Sequence, residues 1–167
     1  MTPEEGIAQL ARQFKSVWLR VPLIVGNTAV NFTLDNFRRQ GFLGDTFEPW
    51  LPRKQGWGKK VRTGSNILIG TGRLRRSIRI TRLSPDVVAI GSDVPYAKAH
   101  NEGLRLGEIQ AVKGFTRKNG LTVKAHARKI DQKIPRRQFM GRSQYMMVQI
   151  RRDVSLAFMK EIPGLKL

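Results

Sequence analysis

The sequence contains no cysteine and only two histidines, His100 and His126, among 167 residues. The first absence excludes a disulfide scaffold, a cysteine-type zinc site and a thiol nucleophile. The second leaves little for a metal cluster or a histidine-based triad. Acids are scarce: 12 Asp and Glu stand against 31 Lys and Arg, a formal net charge of +19. Long apolar runs are also missing. The best, Val17 to Val25, is broken by Arg20 and Pro22 and is too short to span a bilayer. It lacks the basic flank and small-residue cleavage site of a signal peptide. The sequence therefore predicts no membrane partner and a cytoplasm-like compartment.

What is present suits one domain, or one domain with an arm. Hydrophobic residues make up 40%, enough for a core. The charge is unevenly spread. Residues 1–50 hold five bases and five acids, so 26 bases and 7 acids lie in 51–167. The stretch Arg53 to Arg82 has no acid, and Arg105 to Arg142 has only Glu108 and Asp131. Single lysines are ordinary solvated charges. The excess as a whole points to an anionic environment, because a self-repelling surface costs stability.

Thr2-Pro3-Glu4-Glu5 reads as a helix start: a cap, a first-turn proline and acids at the positive end. Ile7, Leu10, Ala11, Phe14, Val17 and Trp18 recur at helical spacing. Arg20-Val21-Pro22 is expected to interrupt or kink this helix. A second helical pattern runs through Ile24, Ala29, Val30, Phe32, Leu34 and Phe37, with Gly41 as its stop. Residues 41–66 read as a long loop containing Trp50 and Trp57, and Trp50 is expected on the core.

The stretch 67–103 reads as a turn at Gly72–Ser77, a β-hairpin over 78–91 around Ser84-Pro85-Asp86, and a short helix closed by Gly103. Residues 104–134 are basic and carry the hairpin signal Asn119-Gly120. They predict an extended β-arm, or a loop disordered in a free subunit and ordered only in an assembly. A corner at 135 leads to a final helix from Ser143, with Met147, Ile150, Val154, Ala157 and Phe158 on one face and Pro163-Gly164 as its stop. The fold class is α+β: N-terminal helices and a C-terminal helix packed on one face of a small antiparallel sheet, with a basic arm.

Catalytic motifs fail one by one. Gly70-Thr71-Gly72 lacks the Gly-Lys-Ser/Thr of a phosphate loop and the third glycine of a dinucleotide fingerprint. Asp93, His100 and Glu102 are what a divalent-metal nuclease would need, against the plainer reading of a partly buried histidine ending a short helix. There is no His-Glu-x-x-His and no Gly-x-Ser-x-Gly. Zinc-finger, aromatic RNP and helix-turn-helix patterns are absent too. The sequence points away from an enzyme, to no cofactor, and to basic charge acting on backbones without base readout.

Three blocks carry a resemblance. They are Ile67-Leu68-Ile69-Gly70-Thr71-Gly72-Arg73-Leu74-Arg75-Arg76-Ser77-Ile78, then Ile90 to Gly103 with Gly91-Ser92, Tyr96-Ala97 and His100-Asn101-Glu102-Gly103, then Ile134-Pro135-Arg136-Arg137-Gln138-Phe139-Met140-Gly141. In this order and spacing they resemble the phage virion morphogenesis (tail completion) family. Phe37 and Trp50-Leu51-Pro52 are similar to the family's helix end and following loop. The resemblance covers roughly 37–160, with Met140 in place of the usual leucine. The N-terminal helical segment and the 104–134 insertion are the least family-like parts.

The resemblance implies a non-catalytic subunit of the phage neck or head-proximal tail end, assembled in the bacterial host cytoplasm. Such proteins form rings, often hexamers, that complete the tail and join it to the head, with DNA passing through. The implied partners are portal or adaptor proteins and tail tube or sheath proteins. Subunit contacts are expected at Arg73, Arg75, Arg76, Tyr96, His100, Arg136 and Phe139, with Phe139 read first as a core anchor. The arm residues Lys113, Arg117, Lys118, Lys124, Arg128 and Lys129 are expected to face DNA or a protein ring. The competing reading is a stand-alone basic nucleic-acid-binding protein, in packaging or on the ribosome.

Overall fold

A computed structural model of the chain describes residues 2–53 and 66–162. The first element, α1, is one continuous helix, Pro3–Arg39. Thr2 and Glu5 form a reciprocal capping box, with the Glu5 N–H donating to Thr2 Oγ1 at 3.2 Å and the Thr2 N–H to Glu5 Oε2 at 2.8 Å. The expected interruption at Pro22 does not occur. Proline removes one N–H donor, and packing of the C-terminal helix on both sides of this point holds the helix together. The N-terminal helices of the sequence reading are therefore one.

The helix also stops one residue early. Gln40, not Gly41, takes the left-handed cap, with φ 59° and ψ 37°. Its side chain compensates by donating to the Phe37 carbonyl at 2.6 Å and bonding both backbone groups of Ile67. Gly41 is required for closeness instead: a Cβ there would sit 2.5 Å from the Phe47 ring and 2.6 Å from the Glu48 carbonyl. These contacts belong to a hairpin, β1 (Gly41–Leu43) with β2 (Phe47–Pro49), in what the sequence reads as loop. The rest of that expected loop, with Trp57, lies outside the described residues.

The turn at 73 forms α2 (Arg73–Arg76). The hairpin that follows is β3 (Arg79–Leu83) against β4 (Val88–Gly91), with a register shift between Ile80 and Arg82. It crosses α1 at Gly26, where a Cβ would meet Ile80 Cδ1 at 2.5 Å. The short helix α3 (Ala97–Glu102) ends at Gly103, φ 81°. Strands β5 (Leu104–Val112) and β8 (His126–Ile134) form the long arm, and β6 (Phe115–Thr116) with β7 (Thr122–Val123) form its tip. The tip turns at Asn119-Gly120, with Gly120 at φ 83°. The final helix α4 (Gln144–Glu161) is capped by Ser143, whose Oγ accepts from the Met146 N–H at 3.1 Å. Its expected stop at Pro163 lies outside the described residues.

The α+β class holds: helices at both ends and antiparallel strands between. The strands do not share one sheet. Among the described residues they form four separate two-stranded sheets, three closed by a local turn and β5–β8 by the segment that holds the β6–β7 hairpin. Helix α4 runs antiparallel to α1, with Asp153 bonded to Thr28 at 2.6 Å and Glu161 paired with Arg20 at 2.7 Å. Two cores result. The larger joins Phe37, Trp50, Leu74, Ile78, Val94, Ala97 and Phe139, and the smaller joins Val17, Phe158 and Ile162.

Candidate functional site

The three sequence blocks meet at the larger core. Phe37 packs on Trp50 at 5.4 Å and on Phe139 at 5.1 Å between ring centroids. The segment 135–143 runs as an irregular corner between α3 and the end of α1 with the 41–52 segment, so its polar backbone needs partners from side chains. Asn101 Oδ1 accepts from the Phe139 and Met140 N–H groups at 3.0 and 2.9 Å. Asn36 Nδ2 donates to the Phe139 carbonyl at 3.2 Å. The Arg137 N–H donates to the His100 carbonyl at 2.8 Å. Ser143 Oγ donates to the Leu43 carbonyl at 2.7 Å.

Sequence reasoning passed over Asn36, Asn101 and Arg137. Arg137 is 7% exposed, and its guanidinium donates to the Leu51 and Pro52 carbonyls at 2.9 and 3.2 Å. Burial first, and the charge of Arg53 second, make it less basic than an ordinary arginine. The signal was in view: Asn101 sits inside the second block and Arg137 inside the third.

The expected contact residues separate into different places. Phe139 is fully buried within its own chain, so its side chain is a core anchor. Tyr96 and His100 share one face of α3, with rings edge to face at 5.9 Å. Together with Arg53, Arg73 and Arg137 they line a shallow pocket of about 390 Å³ beneath Gly70-Thr71. Arg75 and Arg76 line a second hollow on the far side of that turn. Arg136 lies elsewhere, beside Asp45 and Glu48, and donates to the Gln138 side chain.

Gly70 and Gly72 both have positive φ, 31° and 75°, and that is what lets α2 start so abruptly. Arg73 and Arg76 are exposed, Arg75 is half-buried, and none of the three has an ion pair among the described residues. His100 Nδ1 is buried with no hydrogen-bond partner among the described residues. Desolvation first, and Arg137 second, hold the His100 pKa below its ordinary value. Asp93 is engaged with Arg79 at 3.4 Å. Among the described residues no three His, Asp or Glu side chains are grouped so as to hold a metal ion.

The arm presents the second feature. Its ladder pairs nine positions, from Leu104↔Ile134 to Val112↔His126. The alternation of strand faces puts Arg105, Lys129 and Lys133 on one side with Asp131, and Arg128 on the other. Lys113, Arg117, Lys118, Lys124, Arg128 and Lys129 are all exposed, and none has an ion pair among the described residues. Such side chains attract an anionic surface without reading its sequence. No described helix is long and apolar enough to cross a membrane.

No curated protein and no solved structure matches the chain. A family model does, over residues 11–157. The match takes in most of α1 and the whole arm, the two parts that looked least typical in the sequence. By that match, with its three blocks folded into one core, the chain belongs to the phage virion morphogenesis family, and its role is in building a phage particle.

Proposed function

We propose that the chain is a structural subunit of the neck or head-proximal tail end, forming a ring that completes the tail and joins it to the head while DNA passes through. The observation that carries this reading, beyond family membership, is the separation of charge. A long helical body whose first 50 residues are neutral bears an exposed basic arm. A ring of such subunits offers weak, sequence-blind attraction to DNA or to an acidic neighbouring ring. The ring is a hexamer, its neighbours are portal or adaptor proteins above and tail tube or sheath proteins below, and the work is geometric rather than catalytic. Arg73, Arg75, Arg76, Tyr96 and His100 border the open hollows around the Gly70–Gly72 turn, where a neighbour's carboxylate would meet guanidinium forks.

The test is electron cryo-microscopy of the purified protein and of tails from a phage encoding it. A closed ring, or density at the head-proximal end, is the expected result. The high charge also favours a second reading, free nucleic-acid binding. Absence from virions, no rings, and DNA binding with a steep salt dependence would replace the first reading with that one.

A further inference from the structure

One charge in the body of the protein lacks a counter-ion. Arg137 is 7% exposed, and its Nε and Nη2 donate to the Leu51 and Pro52 carbonyls, which are neutral. Among the described residues it makes no ion pair. A buried charge left without an opposite charge is costly. The charge that does act on it, from Arg53, has the same sign. Both line the pocket of about 390 Å³ beneath Gly70-Thr71, with Arg73 as a third guanidinium, and no described acid lines it. Residues 54–65 cannot supply one, since the sequence holds no acid from Arg53 to Arg82. Much of the remaining wall is apolar: Leu68, Ile69, Leu74 and the ring of Tyr96.

We propose that this pocket receives one carboxylate at the end of an aliphatic stem, a glutamate side chain of another protein molecule. This deepens the ring reading and rests on it for the presence of such a neighbour. A carboxylate accepts two parallel N–H bonds from a guanidinium fork, and the methylenes behind it match the apolar wall. A phosphodiester offers no such stem, and the exposed bases of the arm suit DNA better. The site is also prearranged. Arg137 is held by its two carbonyls, and Arg53 Nη2 donates to the Asn66 carbonyl at 2.9 Å, so little side-chain freedom is left to lose on binding. Arg73, exposed on α2, is the guanidinium that can close on the guest.

The two histidines make the test readable by NMR. His100 lines the pocket and feels the charge of Arg137, whereas His126 is exposed on the arm. The full chain is titrated in turn with a glutamate capped at both ends, with inorganic phosphate and with a short DNA duplex, at fixed ionic strength. Capped glutamate is expected to raise the His100 pKa by about 1 at saturation, as a nearby opposite charge does, and to leave His126 unmoved. Arg73→Gln should weaken the capped glutamate about tenfold, the worth of one hydrogen bond to a charged group. Arg82→Gln, an equal change of charge on β3, should not. A His100 pKa that rises with protein concentration alone would identify a second copy as the source of the carboxylate. A constant value, with capped glutamate still binding, would identify a different virion protein. No response of His100 to capped glutamate, equal responses of both histidines, or tighter binding of phosphate or DNA would overturn the proposal. Rings alongside a silent His100 would leave the ring reading standing without the pocket, and a responsive His100 in a protein that forms no rings would do the reverse.

Discussion

Trp50 donates its indole N–H to the backbone carbonyl of Gln138 across 2.6 Å. The bond ties the segment after β2 to the corner before Phe139, two parts of the chain far apart in sequence. It gives a buried tryptophan the polar partner it requires. The corner is held from its other side by Asn101, which closes α3 onto the same backbone.

Asn101 should therefore matter to folding rather than to chemistry. Replacing Asn101 with Ala orphans the Phe139 and Met140 N–H groups. The expected loss is about 1–3 kcal/mol for each group that stays out of reach of water. Urea denaturation measures it. An unchanged midpoint would show that the corner does not depend on this side chain.

Pro22 lies inside α1 without ending it. Pro22→Ala restores an N–H donor and relieves the ring's clash with the preceding turn. It should raise stability, by up to about 3 kcal/mol, the proline penalty in a helix interior. Thermal melting of the two proteins decides it, and a lower melting temperature would mean that α1 needs a bend there.

His100 makes stability depend on pH. Its pKa is lowered in the fold, so the unfolded chain takes up a proton more readily. The stabilisation is complete above the ordinary histidine value, about 6.5, and is lost as pH falls from there through the lowered value. Between pH 7.5 and 5.5 wild type should lose melting temperature, and His100→Gln should lose less. Parallel curves for the two proteins would count against it.

The arm should be the least protected part of a free subunit. Its strands pair with each other, and nearly all of its side chains whose placement is described are exposed. A two-stranded ladder alone is marginal in water. Hydrogen exchange should be fast at 104–134 in free subunits and slow in assembled tails. Equal protection in both forms would mean that assembly adds nothing to the arm.

Arg73→Glu should leave the fold intact, within about 0.5 kcal/mol, since the side chain is exposed and makes no ion pair among the described residues. It should nevertheless block ring closure, because it places an acid where a neighbour's carboxylate is expected. Normal rings from this variant in electron micrographs would remove Arg73 from the interface.

Much of this was legible one segment at a time. The helix start at Thr2–Glu5, the Asn119-Gly120 turn, the helix start at Ser143 and the 78–91 hairpin depend on neighbours within a few residues, and such signals survive in a linear reading. Pro22 and Gly41 misled for the opposite reason. Local preference forbids a helix through one and favours a stop at the other, while packing of α4 and the side chain of Gln40 outweigh those preferences. The hairpin at 41–49 was hidden because three-residue strands leave too short an alternation to see.

The sequence by itself determined the charge of the arm, the absence of thiols and of cysteine-type zinc sites, and the blocks that mark the family. These are properties of composition and order. Only the tertiary structure decided that Phe139 faces inward, that Arg137 and Asn101 clamp a corner, and that Trp18 and Leu156 remain in water. Helical periodicity tells which residues share a face but not which faces find partners within the same chain, because burial depends on where α1 and α4 meet in space.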